Sequence, residues 1–306
     1  MNEPLLLTNG ARSRPCLHGH DRASEEPKGV SPLRRWLKMN KSHIAGVEEL
    51  LRANERWCMN ACSRFIKGGS PVWILGQGAP LALVIHARQT LLPVLCDQEK
   101  VPQPRFLRGF FGGKVSLHSL QGRKDDALVM EKALEEMGLD AVEKKDYDIM
   151  CLDHPPLSCN SAAPVNLVIR KPVPQDMDAL AALHAAYEKE EVLPAASEFH
   201  PAVSRRNIER IFAEEQMLVA ELGGCLIGKI NTNAVTFTRC QIGGVYVHPD
   251  YRGLGIAGRM TFEFVESLRA QGRGISLFVN KTNITARRVY QRTGFEIMGD
   301  YRIDYF

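Results

Sequence analysis

HPDYRGLGIAGRM, residues 248–260, is the stretch on which the fold turns. Ahead of it runs Ile242-Gly243-Gly244-Val245-Tyr246-Val247, an apolar segment of strand length closed by Pro249, whose nitrogen cannot donate to a sheet ladder. Behind it, Ile256, Met260, Phe264 and Leu268 recur at every fourth position and mark one buried helix face. The segment Arg252-Gly253-Leu254-Gly255-Ile256-Ala257 therefore joins a strand to a helix through a glycine-rich turn. Glycine permits a tight turn and a close approach of backbone to a ligand. The first turn of a helix offers unpaired N–H groups and partial positive charge to an anion. The stretch reads as a backbone cradle for a pyrophosphate. Arg252 and Arg259 are either added cationic donors or solvated surface charges. A plain strand-to-helix turn is the competing reading, so a second feature has to decide.

That feature lies downstream. Ile275–Val279 predicts a short buried strand, followed by Asn280-Lys281-Thr282-Asn283, a polar turn with helix-capping residues. A short helix then carries Ala286, Val289 and Tyr290, ends near Gly294 and gives way to Phe295. Ala286 allows close backbone approach, and Tyr290 brings a phenol to the same face one turn on. A core tyrosine is the alternative for Tyr290.

Together these residues resemble the GNAT superfamily of N-acetyltransferases. The family's acetyl-CoA signature is glutamine or arginine, two residues, glycine, one residue, then glycine or alanine; Arg252, Gly255 and Ala257 match it behind a strand end supplied by Val247 and Pro249. Its second signature is matched by Asn283, Ala286, Tyr290, Gly294 and Phe295. The resemblance covers roughly residues 166–306, one domain in length. It implies an acetyl-CoA co-substrate, without a metal, in a V-shaped cleft where two parallel strands part. The backbone of Val245, Tyr246 and Val247 would pair with pantetheine, and an N–H of that strand would polarise the thioester carbonyl. Arg252, Gly253, Leu254, Gly255, Ile256 and Ala257 would hold the pyrophosphate. Asn283 would contact the pantetheine arm, and Tyr290 would protonate the leaving thiolate. Many relatives place a basic glutamate on the strand before the loop, but Thr238, Arg239, Cys240 and Gln241 include no carboxylate. Glu190 and Glu191 are the remaining candidates for the base, each with a solvated surface charge as its alternative. A water chain to bulk solvent is the other route. Gly243-Gly244 predicts a strand bulge, with room for the acceptor amine as a second possible role.

The surrounding pattern is consistent with that fold. Strands are expected at 166–170, 217–221, 225–232 and 301–306, and helices from Asp176 to Pro194 and around Arg205–Ala213, giving a mixed α/β layer with a largely antiparallel sheet. At 306 residues the chain exceeds one such unit, so two domains are expected. Residues 1–38 read as a disordered tail, 39–151 as an N-terminal α/β domain, 152–165 as a linker rich in proline and serine, and 166–306 as the transferase domain. Met39 is a candidate start site. One helix is expected over Ile44–Ile66, strands at Val72–Leu75, Leu81–His86, Leu91–Leu95 and Val115–Ser119, and a helix from Asp125 to Met137. The strand, turn and helix at 115–137 echo the C-terminal fingerprint, with Gln121-Gly122 lacking its second glycine. The N-terminal half is therefore either a degenerate GNAT-like half or an unrelated α/β domain.

A formal charge of +4 with no long basic run does not indicate nucleic-acid binding, and no apolar stretch is long enough for a membrane span. Eight cysteines are dilute in this length and fit reduced thiols in the cytoplasm. Cys58 and Cys62 read as small core residues, and the Cys16, His18, His20 cluster makes a poor metal site. The expected activity is transfer of an acetyl group to a primary amine, on a small molecule or a protein. The alternatives are an acyl-CoA-binding regulatory module with a partner-binding N-terminal half, and a transferase of longer acyl groups.

Overall fold

Ten elements in one order, strand, two helices, three strands, helix, strand, helix, strand, occur twice along the chain. The first series is β1 (Trp36–Lys38), α1 (Ile44–Ala53), α2 (Met59–Lys67), β2 (Val72–Leu75), β3 (Ala82–Ala87), β4 (Thr90–Val94), α3 (Pro104–Phe110), β5 (Ser119–Arg123), α4 (Lys124–Glu135) and β6 (Glu143–Leu152). The second is β7 (Val168–Arg170), α5 (Met177–Tyr187), α6 (Pro201–Glu214), β8 (Met217–Leu222), β9 (Cys225–Val235), β10 (Arg239–Val247), α7 (Ile256–Arg269), β11 (Gly274–Asn280), α8 (Ile284–Thr293) and β12 (Glu296–Tyr305). The structure, a computed structural model, describes residues 36–76, 79–96, 104–111, 116–157, 163–194 and 197–306.

All the strands share one sheet, in the order β1-β2-β3-β4-β5-β12-β6-β11-β10-β9-β8-β7. Within each series the first four strands are antiparallel neighbours, and the fourth and fifth run parallel. The sixth strands are exchanged: β6 pairs with β11, β12 pairs with β5, and the two meet at the centre of the sheet. A layout repeated element for element is what the GNAT-like reading of the N-terminal half requires.

Several expectations need correction. The helix expected over Ile44–Ile66 is two, broken at residues 54–58 because Glu55 turns inward. Its carboxylate accepts hydrogen bonds from the Thr238 amide at 2.8 Å and from the Thr236 and Thr238 hydroxyls, fixing the β9–β10 turn. Trp57 lies against Gly299, where a side chain would strike its ring. Gln121-Gly122 is not a turn but the middle of β5, paired with Ile303 and Arg302. It corresponds to β11, so the counterpart of the glycine loop falls between β4 and α3. The strand expected at 115–119 lies at Ser119–Arg123, and neither α3 nor β6 was anticipated. The tail expected to residue 38 ends sooner, since Trp36–Lys38 pairs with Trp73–Leu75; a chain begun at Met39 would lack that edge strand. Residues 1–35, with the Cys16, His18, His20 cluster, lie outside the described residues. So do 158–162 of the expected linker, whose Leu152 closes β6.

The C-terminal core gathers on α7. Ile256, Met260, Phe264 and Leu268 are all buried against Ile242, Ile275, Leu277 and Tyr290. Burial of each such side chain contributes about 2 kcal/mol, which fixes the helix start beside the end of β10.

Candidate active site

β10 and β11 pair in parallel from Arg239↔Gly274 to Ile242↔Leu277 and no further. The closed end is clamped by Arg239, which is buried and donates to Ser276 Oγ at 2.9 Å and the Ile275 carbonyl at 2.9 Å. Beyond Ile242, β10 follows β9 as far as Val247, whereas β11 stays with β6 to Asn280. The strands part into a V. A cleft of about 740 Å³ fills it, with Val245, Tyr246 and Val247 on one wall and Asn283, Ala286 and Tyr290 on the other.

Backbone direction in β10 follows from strand alternation. The His248 N–H is given to the Ile227 carbonyl on β9, so the polar groups of Val247 and Val245 turn to the opposite side, toward the cleft. In agreement, the Val247 carbonyl accepts from Arg252 Nε at 3.0 Å. Gly253 (φ 80°) and Gly255 (φ 73°) are left-handed. A side chain on Gly253 would meet nothing, so that position needs glycine for its backbone angle and not for space. Gly255 caps α7 without a side-chain acceptor, leaving the first amides of a 14-residue helix to face the cleft. Gly253, Gly255, Ile256 and Ala257 line it with Arg252, while Leu254 is 42% exposed and does not. Left-handed glycines, uncapped amides and a guanidinium are a donor set that fits a diphosphate. Arg259 instead pairs with Glu263 one turn on.

Across the cleft, Asn283 caps α8 by accepting the Ala286 N–H at 3.0 Å. Tyr290 is 7% exposed, and burial pushes its phenol well above the usual value. The two acidic candidates lie on a π-helical turn, Glu188–Val192, that prolongs α5. Glu190 accepts from both terminal nitrogens of Arg252 at 2.8 Å, and that bond holds its carboxyl below the ordinary range. Glu191 accepts from Asn283 Nδ2 at 3.1 Å. Both carboxylates thus brace the cleft, one to each wall.

A polar row absent from the expectations stands behind β10. Lys229, Asn231 and Asn233 alternate along β9, linked Lys229 Nζ to Asn231 Oδ1 at 3.4 Å and Asn231 Nδ2 to Asn233 Oδ1 at 3.1 Å. A side chain on Gly243 would collide with Asn233, and one on Gly244 with Asn231 and Lys229. The expected bulge is present, as a register shift between Gly243 and Tyr246, but the room beside it is taken by this row. The signal was available: Lys-x-Asn-x-Asn within an otherwise apolar strand puts three polar residues on one face.

Among the described residues, no group of acidic, histidine or cysteine side chains could hold a metal. No described helix is long and apolar enough to cross a membrane.

The family match gives the class, an acyltransferase of the N-acetyltransferase type. Residues 180–295 match the family model described as Acetyltransferase (GNAT) family, and the C-terminal half is a GNAT domain. The chain is similar in fold to a GCN5-related N-acetyltransferase from Sphaerobacter thermophilus, at 21% identity over 88% of this chain and 94% of that one, TM-score 0.53. It is similar to a tandem GNAT protein from the clavulanic acid biosynthesis pathway, at 13% identity over 88% and 97%, TM-score 0.54. It also resembles a GNAT-family acetyltransferase from Colwellia psychrerythraea, at 11% identity over 89% and 100%, TM-score 0.51. Comparison with curated proteins finds no match.

Proposed function

We propose that the protein transfers an acetyl group from acetyl-CoA to a primary amine by direct attack in a ternary complex. The carrying observation is the parting of β10 from β11, which brings both signature segments to a single cleft. Acetyl-CoA would supply an acyl group activated as a thioester. The loop amides of residues 253–257 and Arg252 bind the diphosphate, and the cleft-facing polar groups of Val245 and Val247 align the pantetheine arm. Val245 N–H is the donor for the thioester carbonyl. The raised pKa keeps the Tyr290 phenol protonated at neutral pH, so it can give its proton to the departing sulfur. Glu190 and Glu191 remain the candidate bases. Because each is held by a cleft residue, either must first exchange Arg252 or Asn283 for the coenzyme. A cytoplasmic location belongs to this reading.

One observation favours the regulatory acyl-CoA-binding alternative: neither carboxylate is unengaged. Calorimetry with acetyl-CoA and longer acyl-CoA thioesters, followed by CoA release across a panel of amines, separates the readings. The proposal expects binding of acetyl-CoA and amine-dependent CoA release. Binding with no release on any amine supports the regulatory module, and preference for a long chain supports the third reading.

A further inference from the structure

Lys229 is a lysine with no exposed surface, and it does not itself line the cleft. Its ammonium donates to the Gly244 carbonyl at 3.0 Å and lies 4.4 Å over the Tyr187 ring. Gly244 sits in the bulge of β10 with φ 58°, a left-handed conformation that glycine adopts without strain. The next residue, Val245, has no partner on β9 or on β11. A trans peptide is planar, with its C=O and N–H pointing in opposite directions. If the Gly244 carbonyl is held toward β9 by Lys229, the Val245 N–H of the same peptide must point into the V.

We infer that Lys229 is a positioning residue: from behind β10 it fixes and polarises the Gly244–Val245 peptide, so that the Val245 N–H is aimed at the thioester carbonyl oxygen. The inference rests on the acetyl-CoA reading above. A hydrogen bond from an ammonium is stronger than one from a neutral donor, and withdrawing charge from a peptide carbonyl strengthens its N–H as a donor in turn. A donor placed before the reaction begins is what stabilises charge on an acyl oxygen. The row behind β10 also accounts for the two glycines, since any side chain at Gly244 would displace the ammonium.

The device titrates. Burial draws Lys229 down to about 7, partly offset by the charge of Glu188. The other groups around it are His184 and Tyr187 of α5, Asn231 of β9 and Tyr246, its cross-strand partner on β10, whose phenol burial also raises. Burial lowers His184 to about 4 and raises Tyr187 to about 12, so neither changes charge near neutrality. The ammonium, and with it the polarisation, is present below the Lys229 value and lost as pH rises through it.

Isotope-edited infrared spectroscopy of acetyl-CoA labelled at the thioester carbonyl carbon reads the polarisation without needing an acceptor. In the wild-type protein the bound carbonyl band is expected below its free-solution frequency, returning toward it as pH rises through neutrality. In Lys229→Met the band should lie near the free value at all pH, with affinity for CoA itself unchanged and slow thioester hydrolysis reduced roughly tenfold. Lys229→Gln retains a neutral donor; it should give an intermediate, pH-independent shift, and it carries the test if the methionine variant does not fold. An identical band in wild type and variants, or a wild-type band insensitive to pH, overturns the inference while leaving the transferase reading intact. A wild-type protein that binds no CoA thioester overturns both.

Discussion

Tyr290 can be separated from the rest of the cleft by removing a single oxygen. Its ring packs with Phe295 at 6.0 Å and belongs to the core, so Tyr290→Phe should fold normally. If the phenol protonates the leaving thiolate, turnover should fall about a hundredfold while acetyl-CoA affinity stays constant. Steady-state kinetics beside calorimetry reads this, and equal loss of both would refute the acid role. Glu190 makes the opposite prediction. Its ion pair occupies the loop arginine, so Glu190→Ala should free Arg252 and tighten acetyl-CoA binding. The pair is two-fifths exposed and screened by solvent, which limits the gain to a few-fold, about 0.2–1 kcal/mol. Because Arg252 holds the Glu190 carboxyl low, the pair survives into the acid range. The difference between variant and wild type should vanish only as pH falls through that lowered value. Arg252, Gly255 and Ala257 were legible in the sequence because turn geometry and helix ends are local chemistry. The Lys-x-Asn-x-Asn spacing puts Lys229 on one face with two asparagines, but its burial was not legible, because only the packing of α5 over β9 covers that face.

The exchanged strands were the least legible elements, for a physical reason. β6 opens Glu143-Lys144-Lys145-Asp146-Tyr147-Asp148, a polar run that predicts a solvated loop. It becomes a strand because β11 and β12 supply its ladder on both sides. Ion pairs then replace water along it: Lys144 with Glu131 of α4, Lys124 of α4 with Asp146, and Lys281 and Arg287 with Asp148. One charge in this seam is poorly served. Asp304 of β12 has no exposed surface; its Oδ1 accepts from Arg302 at 2.9 Å, and its Oδ2 has no partner among the described residues. Burial, with the charge of Glu131, raises its carboxyl to about 6. The folded state therefore holds a proton that the unfolded chain has already released, and the stability contributed by this group falls as pH rises from about 4 to about 6. Above that range the full cost of the buried charge remains. Asp304→Asn should stabilise the protein at neutral pH by on the order of 1–3 kcal/mol, and the gain should disappear below the ordinary aspartate value. Thermal unfolding of both proteins across this range checks it; a gap that persists in acid would contradict the assignment.

At the level of the whole chain, the twofold repetition raises the question of a second coenzyme site. β4 and β5 of the N-terminal half also run parallel, but only over Thr90↔Ser119 and Leu91↔Leu120. Counting from the first residues of α4 and α8, the positions of Asn283, Ala286 and Tyr290 are held by Arg123, Asp126 and Met130. The small residue that opens the C-terminal cleft is thus replaced by a carboxylate. Asp126 is buried, and its Oδ2 accepts the Leu95 N–H at 3.2 Å, consuming a backbone donor at the end of β4. Leu95, Leu107, Leu120 and Met130 are wholly buried around it. Buried side chains thus stand at the end of β4, and Met130 holds the position where the C-terminal half has a phenol. Titration calorimetry of the full chain should therefore give one acetyl-CoA per protein molecule. Tyr290→Phe should keep that stoichiometry, and a bulky replacement of Gly255, which forces a side chain into a left-handed backbone at the loop, should abolish it. A stoichiometry of two, or one site surviving the Gly255 replacement, would mean that the N-terminal half binds the coenzyme despite Asp126. The expected single site follows from chemistry that diverged within a repeated fold: β10 parts from β11 around a cleft, whereas Pro93 of β4 still lies against Gly122 of β5.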